Sequence, residues 1–88
     1  MASKTVIVGS AVGLHARPAS IIANVAEAYD DDVLLHIEGT DAEDAVDAAS
    51  SLMIMTLGAE KGTSVVVTSD NQAAVDEIAA LIEQDLDA

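Results

Sequence analysis

The sequence predicts an α+β fold in two layers. Three helices cover one face of a small, mostly antiparallel sheet of four strands, in the order β-α-β-β-α-β-α. Three observations point there. Short β-branched runs alternate with segments whose apolar residues recur at helical spacing. The 88 residues contain no internal repeat and no linker, so a single domain spans residues 1–88. The apolar residues are almost all aliphatic or small, with Tyr29 the one aromatic, and such side chains suffice to fill a thin layer.

Each element follows from its residues. Thr5-Val6-Ile7-Val8, closed by Gly9, is a β-branched run and reads as the first strand. A loop containing Gly13 leads to a helix over Ala16 to Tyr29. There Ile22, Val25, Ala26 and Tyr29 form the i, i+3, i+4, i+7 stripe and Ile21 widens it. Pro18 falls in the first turn, where its missing N–H would have had no intrahelical acceptor. The Asp30-Asp31-Asp32 run opposes the macrodipole and stops the helix. Val33 to Glu38 alternates as a half-buried strand with Val33, Leu35 and Ile37 on one face. Gly39-Thr40 turns the chain, and a short acidic edge strand is expected near Ala42 to Val46. Ser50 or Ser51 then caps a short apolar helix, Leu52 to Leu57, which Gly58 ends. Thr63 to Thr68 is the clearest strand, and its Thr and Ser positions suit a solvated outer face. Ser69-Asp70-Asn71-Gln72 fits a capping box for the last helix, whose buried stripe is Val75, Ile78, Ala79 and Ile82.

Composition excludes several classes. Sixteen Asp and Glu face three Lys and Arg, a net charge of −13, so a nucleic acid would be repelled. No cysteine is present, which removes disulfide scaffolds and thiolate chemistry. No apolar run approaches the ~18 residues of a membrane span. The first residues lack a signal-peptide core, so a cytoplasmic protein is expected. The acids are also unevenly placed: none precedes Glu27, nine lie from Glu27 to Asp47, and seven from Glu60 to Asp87. Random scatter would leave so long an acid-free start less than about one time in a hundred. Either the first strand and helix are buried and need no solubilising charge, or an anion visits this end of the protein. The broad acidic surface matches a protein kept soluble in a very salty, halophilic cytoplasm.

The segment from Gly13 to Ser20, Gly-Leu-His-Ala-Arg-Pro-Ala-Ser, carries the candidate chemistry. His15 falls at the boundary of the first helix. The first-turn N–H groups of Ala16 and Arg17 are free, that helix end carries partial positive charge, and Arg17 adds a full one. A phosphoryl group on the imidazole would find donors and charge already in place, and phosphoryl transfer asks a protein mainly for positioning and electrostatics. The plainer alternative is a helix-cap histidine held by packing. A metal site is disfavoured, since the only other histidine is His36 and a helix N-terminus repels a cation. A Ser20–His15 nucleophile pair lacks an orienting acid. His36, beside Glu38 on the polar face of a strand, reads as a surface residue.

Gly13-Leu14-His15-Ala16-Arg17-Pro18-Ala19 resembles the active-site signature of the HPr family, the histidine-containing phosphocarriers of the bacterial sugar phosphotransferase system. Ser50-Ser51-Leu52-Met53-Ile54-Met55-Thr56-Leu57-Gly58 is similar to that family's regulatory-serine helix. The resemblance implies an HPr-like open-faced β-sandwich and a phosphocarrier rather than a stand-alone enzyme, with no cofactor and no metal. It implies that Enzyme I, charged from phosphoenolpyruvate, phosphorylates His15 on Nδ1, and that an enzyme IIA domain accepts the group. A dihydroxyacetone-kinase phosphotransfer subunit is an alternative acceptor, and a regulatory binding module an alternative role. Family members of that last kind lack the active histidine, whereas this chain retains it. Arg17 matches the arginine that neutralises phosphate in transfer. Ser20, Asn24, Ser51, Leu52 and Met55 match exposed docking positions. Ser50 matches the regulatory phosphosite, with Ser51 as rival. A carrier that shows His15 to two partners in turn favours a monomer.

Three departures accompany the resemblance. The segment between Gly39 and Ser50 is about four residues longer than usual in the family, a length that costs little to close. Ala49 stands where a basic residue usually precedes the serine, so phosphate at Ser50 would join an already negative surface. Val12 replaces a polar residue often found in the loop before the histidine.

Overall fold

A computed structural model of the chain describes residues 2–11 and 13–84. Val12, where the loop departs from the family pattern, lies outside them. The elements run β1 (Ala2–Ile7), α1 (Ala16–Glu27), β2 (Val33–Ile37), a 3₁₀ turn (Ala42–Asp44), β3 (Val46–Asp47), α2 (Ser51–Thr56), β4 (Ser64–Ser69) and α3 (Gln72–Glu83). The strands form one antiparallel sheet in the order β1-β4-β2-β3. The last strand in sequence thus lies between the first two, with Lys4 opposite Val67 on one side and Leu35 opposite Val67 on the other.

Period-two patterning decides which face the helices cover. Val6 and Val8, Val33 and Leu35, and Val65, Val67 and Ser69 are buried on one side. Against them α1 places Pro18, Ala19, Ile22, Ala23 and Ala26, and α3 places Ala74, Val75, Ile78, Ala79 and Ile82. The alanines let α3 lie close to β1 and β4 and let α1 approach α3, and the larger residues fill what remains. Ile22, Leu35, Ile54 and Ile78 are fully enclosed, each contributing about 1.5–3 kcal/mol by leaving water. The other face stays open, carrying Thr5, Val66, Thr68, Leu34 and His36 at exposed or half-buried positions.

Several boundaries differ from expectation. β1 begins at Ala2 because its pairing with β4 extends to Ser69, where the sequence shows only a short β-branched run. α1 ends at Glu27, short of Tyr29. Its last turn tightens into i→i+3 bonds, with the Ala28 N–H on the Val25 carbonyl at 3.1 Å and the Tyr29 N–H on the Ala26 carbonyl at 3.2 Å. Tyr29 still packs against the core, and its hydroxyl donates to the Glu77 carboxylate. Ser69 does not cap α3. It is consumed as the end of β4, facing the helices, and its Oγ accepts the Asn71 N–H at 3.1 Å. Asn71 is the cap, with its Oδ1 accepting from the Ala74 N–H at 3.3 Å, and Gln72 is the first helical residue rather than the third. The stretch near Ala42 to Val46 divides into the 3₁₀ turn and β3, a two-residue edge strand set against β2 through Leu35 and Val46. Among the described residues no helix is long and apolar enough to cross a membrane.

Candidate functional site

His15 is the N-cap of α1, with extended backbone (φ −88°, ψ −164°) and a side chain that makes no capping bond. Its carbonyl accepts the Ala19 N–H at 2.9 Å, which begins the helix while leaving the imidazole uncommitted. Burial explains why the ring faces water. Gly13 and Leu14 before it, and Pro18 and Ala19 after Arg17, are buried. The three residues His15, Ala16 and Arg17 therefore bulge outward between two anchors. Leu14, only 3% exposed, is the inner anchor. Pro18 serves at the other side, where its lack of an N–H removes a donor that the first turn cannot satisfy internally.

The loop before His15 is fastened to a remote part of the chain. The Leu14 N–H donates to the Ala59 carbonyl at 2.9 Å, and the Gly13 N–H to the Ser10 carbonyl at 3.0 Å. Gly13 has φ +73°, and a Cβ there would stand 2.4 Å from the Ala59 oxygen and 2.9 Å from the Glu60 Cα. Only glycine meets both demands, a left-handed backbone and contact with another main chain. Ala59 lies three residues past Thr56, where α2 ends one residue before the expected Leu57, so the His15 loop is fastened to the chain leaving α2 as well as through the packing of α1 on α2.

Arg17 is exposed and holds no acidic partner among the described residues. The helix carries the Asp30-Asp31-Asp32 cluster away: α1 has twelve residues, which sets its far end about 18 Å from the His15 end. The acid-free start of the sequence is not wholly acid-free in space, since the Gly13–Ala59 contact brings Glu60 beside the loop. Among the described residues no group of three or more metal-binding side chains comes together. His36 pairs with Val66 on the open face of the sheet, on the other side from α1.

Arg17, Ser20 and Asn24 follow at i, i+3 and i+7, and all three are exposed on one side of α1. On α2, Ser50 is the N-cap, its Oγ accepting the Met53 N–H at 3.3 Å, and Ser51 is the half-buried first helical residue. Ile54 is buried, while Leu52 is 68% exposed, Met53 43% and Met55 36%. Met53 is not among the exposed positions that the resemblance implies. A helix that buries one residue per two turns leaves its neighbouring apolar side chains outside, and nothing in a six-residue apolar run announces that.

The chain matches the family model for the HPr component of the phosphotransferase system, described by its phosphorylation site, over residues 2–84. It is 41% identical over 90 residues to the phosphocarrier protein HPr of Streptomyces coelicolor, covering 99% of this chain and 94% of that protein. It is 33% identical to the phosphocarrier protein HPr of Vibrio cholerae, covering 96% and 98% respectively. Among solved structures it is similar to HPr-C-His from Thermoanaerobacter tengcongensis, with a TM-score of 0.85 and 25% identity over 100% of this chain and 98% of that one.

Proposed function

The chain belongs to the HPr family of phosphotransferase-system phosphocarriers, and from that premise we propose that it relays a phosphoryl group through His15. The group arrives from phospho-Enzyme I and leaves for an enzyme IIA domain that serves carbohydrate uptake. On loading, the Nδ1–phosphorus bond forms as the donor's bond to phosphorus breaks; on delivery, the Nδ1–phosphorus bond breaks as the acceptor's bond to phosphorus forms. The observation that carries the reading is the exposed, uncommitted imidazole at the N-cap of a twelve-residue helix. A phosphoryl group there gains the first-turn N–H groups of Ala16 and Arg17, the positive end of the macrodipole and the Arg17 guanidinium. As a member of a phosphocarrier family the protein is not a stand-alone enzyme.

Partner docking is assigned to the exposed side of α1 at Ser20 and Asn24, and to Ser51, Leu52 and Met55 on α2. These contacts are small and transient, and the carrier acts as a monomer. Ser50 is preferred to Ser51 as the candidate regulatory phosphosite, because its oxygen already sits at the positive end of α2. The test is incubation with Enzyme I and labelled phosphoenolpyruvate. Wild type takes up acid-labile label and His15→Ala takes up none; acid-labile label on His15→Ala would sink the assignment.

A further inference from the structure

The chain offers a two-electron oxidant very few targets. It has no cysteine and no tryptophan, and its thioethers are Met1, Met53 and Met55. Met53 and Met55 both lie on α2, 43% and 36% exposed, so both residues are open to solvent. They flank the most exposed apolar residue, Leu52, and each sits about 100° around the helix from the buried Ile54. A partner that covers Leu52 therefore overhangs a thioether on either side. Met55 is one of the residues assigned above to docking and Met53 stands beside another, the exposed Leu52, and the chain just past that helix is tied to the His15 loop through the Leu14–Ala59 bond.

We infer that Met53 and Met55 form an oxidation-sensitive site that governs partner docking, an inference that rests on the phosphocarrier reading. The co-reactant is a peroxide. The sulfur lone pair attacks one peroxide oxygen, the O–O bond breaks, and the departing hydroxide takes the remaining proton. Each event gives one sulfoxide and one water, with sulfur oxidised and oxygen reduced by two electrons. The product replaces a soft apolar contact by a strong hydrogen-bond acceptor that needs water, which opposes burial under a partner. The fold survives, because neither side chain is enclosed and the core contact of α2 is Ile54. The change is reversible by methionine sulfoxide reductases.

The experiment treats the intact protein with hydrogen peroxide, maps sulfoxide by peptide mass spectrometry, and measures two rates of His15 phosphorylation. One uses Enzyme I with phosphoenolpyruvate; the other uses phosphoramidate, a small donor that needs no docking surface. Oxidation at Met53 and Met55 lowers the Enzyme I rate roughly five- to tenfold, the scale of one or two lost interface contacts, and leaves the phosphoramidate rate unchanged. Met53→Leu/Met55→Leu, whatever its starting rate, shows no further fall on peroxide treatment, and reductase restores the wild type. An unchanged Enzyme I rate with both sulfoxides present would overturn the inference, as would an equal peroxide effect in the double variant. Failure of the untreated protein to accept phosphate from Enzyme I, with phosphoramidate labelling intact, would overturn the phosphocarrier reading itself and the switch with it.

Discussion

Gly13→Ala is the substitution on which the geometry makes its sharpest demand. At φ +73° an L side chain costs about 1–2 kcal/mol from the left-handed backbone alone. The new methyl would also stand 2.4 Å from the Ala59 oxygen and 2.9 Å from the Glu60 Cα. Both are main-chain atoms and cannot rotate aside, so the two segments must separate. That separation strains the 2.9 Å bond from the Leu14 N–H to the same oxygen, worth about 0.5–1.5 kcal/mol. The expected loss is about 2–3 kcal/mol, or roughly 10–20 °C in Tm for a domain of this size. Gly62→Ala isolates the backbone contribution. That glycine has φ +89° with nothing within 4 Å of an added Cβ, so only the backbone cost of about 1–2 kcal/mol applies. Thermal unfolding followed by far-UV circular dichroism measures both, and phosphoryl transfer from Enzyme I reports where His15 ends up. Gly13→Ala is the less stable and the slower carrier, whereas Gly62→Ala transfers at close to the wild-type rate. Equal Tm values for the two variants would refute the close-approach argument, and unaltered transfer in Gly13→Ala would show that this loop does not position His15.

Other substitutions probe separate parts of the molecule. Arg17→Ala slows transfer while leaving Tm unchanged, since the side chain is exposed and without an acidic partner among the described residues; unaltered transfer kinetics would remove Arg17 from the mechanism. Ser50→Ala costs about 1 kcal/mol by removing the cap of α2, read as a lower urea midpoint, and a midpoint identical to wild type would show the cap to be idle. The hydrogen bond to Glu77, aided by partial desolvation and the carboxylate's charge, raises the Tyr29 phenol above its ordinary value of 10.0. A pKa raised in the fold means that the contribution is complete below pH 10.0 and is lost as pH climbs through the raised value. Wild type thus loses stability more steeply in alkali than Tyr29→Phe, and parallel profiles above pH 10.0 would dismiss the pair. Unfolding free energy rises steeply into molar KCl, where a screening length of about 3 Å quiets the mutual repulsion of the acids; a flat salt dependence would separate the −13 charge from any halophilic role.

The parts of this structure legible from the residues are those governed by local periodicity. The stripe Val75, Ile78, Ala79 and Ile82 is buried as its spacing implies, and so are Val33 and Leu35 on β2. His15 lands at the N-cap because Pro18 can occupy only the first turn of a helix. The features that residue patterns do not reveal depend on chain segments far apart in sequence. No local signal says that the Ala59 carbonyl will receive the Leu14 N–H, or that Glu60 will come beside Gly13. The α3 cap escapes local reading for a related reason. Ser69, Asp70 and Asn71 are all competent caps, and pairing with Ala2 and Val33 removes Ser69 from the choice by drawing it into the sheet. The exposure of Met53 likewise comes from the placement of α2 in the fold rather than from its own apolar run.

The connection between Ile37 and Val46 passes through the 3₁₀ turn and returns the chain directly to the sheet. Leu35 lies opposite Val46 and Leu34 opposite Asp47, and Ser50 caps α2 four residues after Val46. The turn leads into β3, the edge strand at the opposite side of the sheet from β1. It is therefore the natural insertion point for a fluorescent reporter, an affinity tag or a permuted terminus. A graft at Asp41 to Asp44 falls within a 3₁₀ turn between two strands and interrupts none of the three helices or the Gly13–His15 loop.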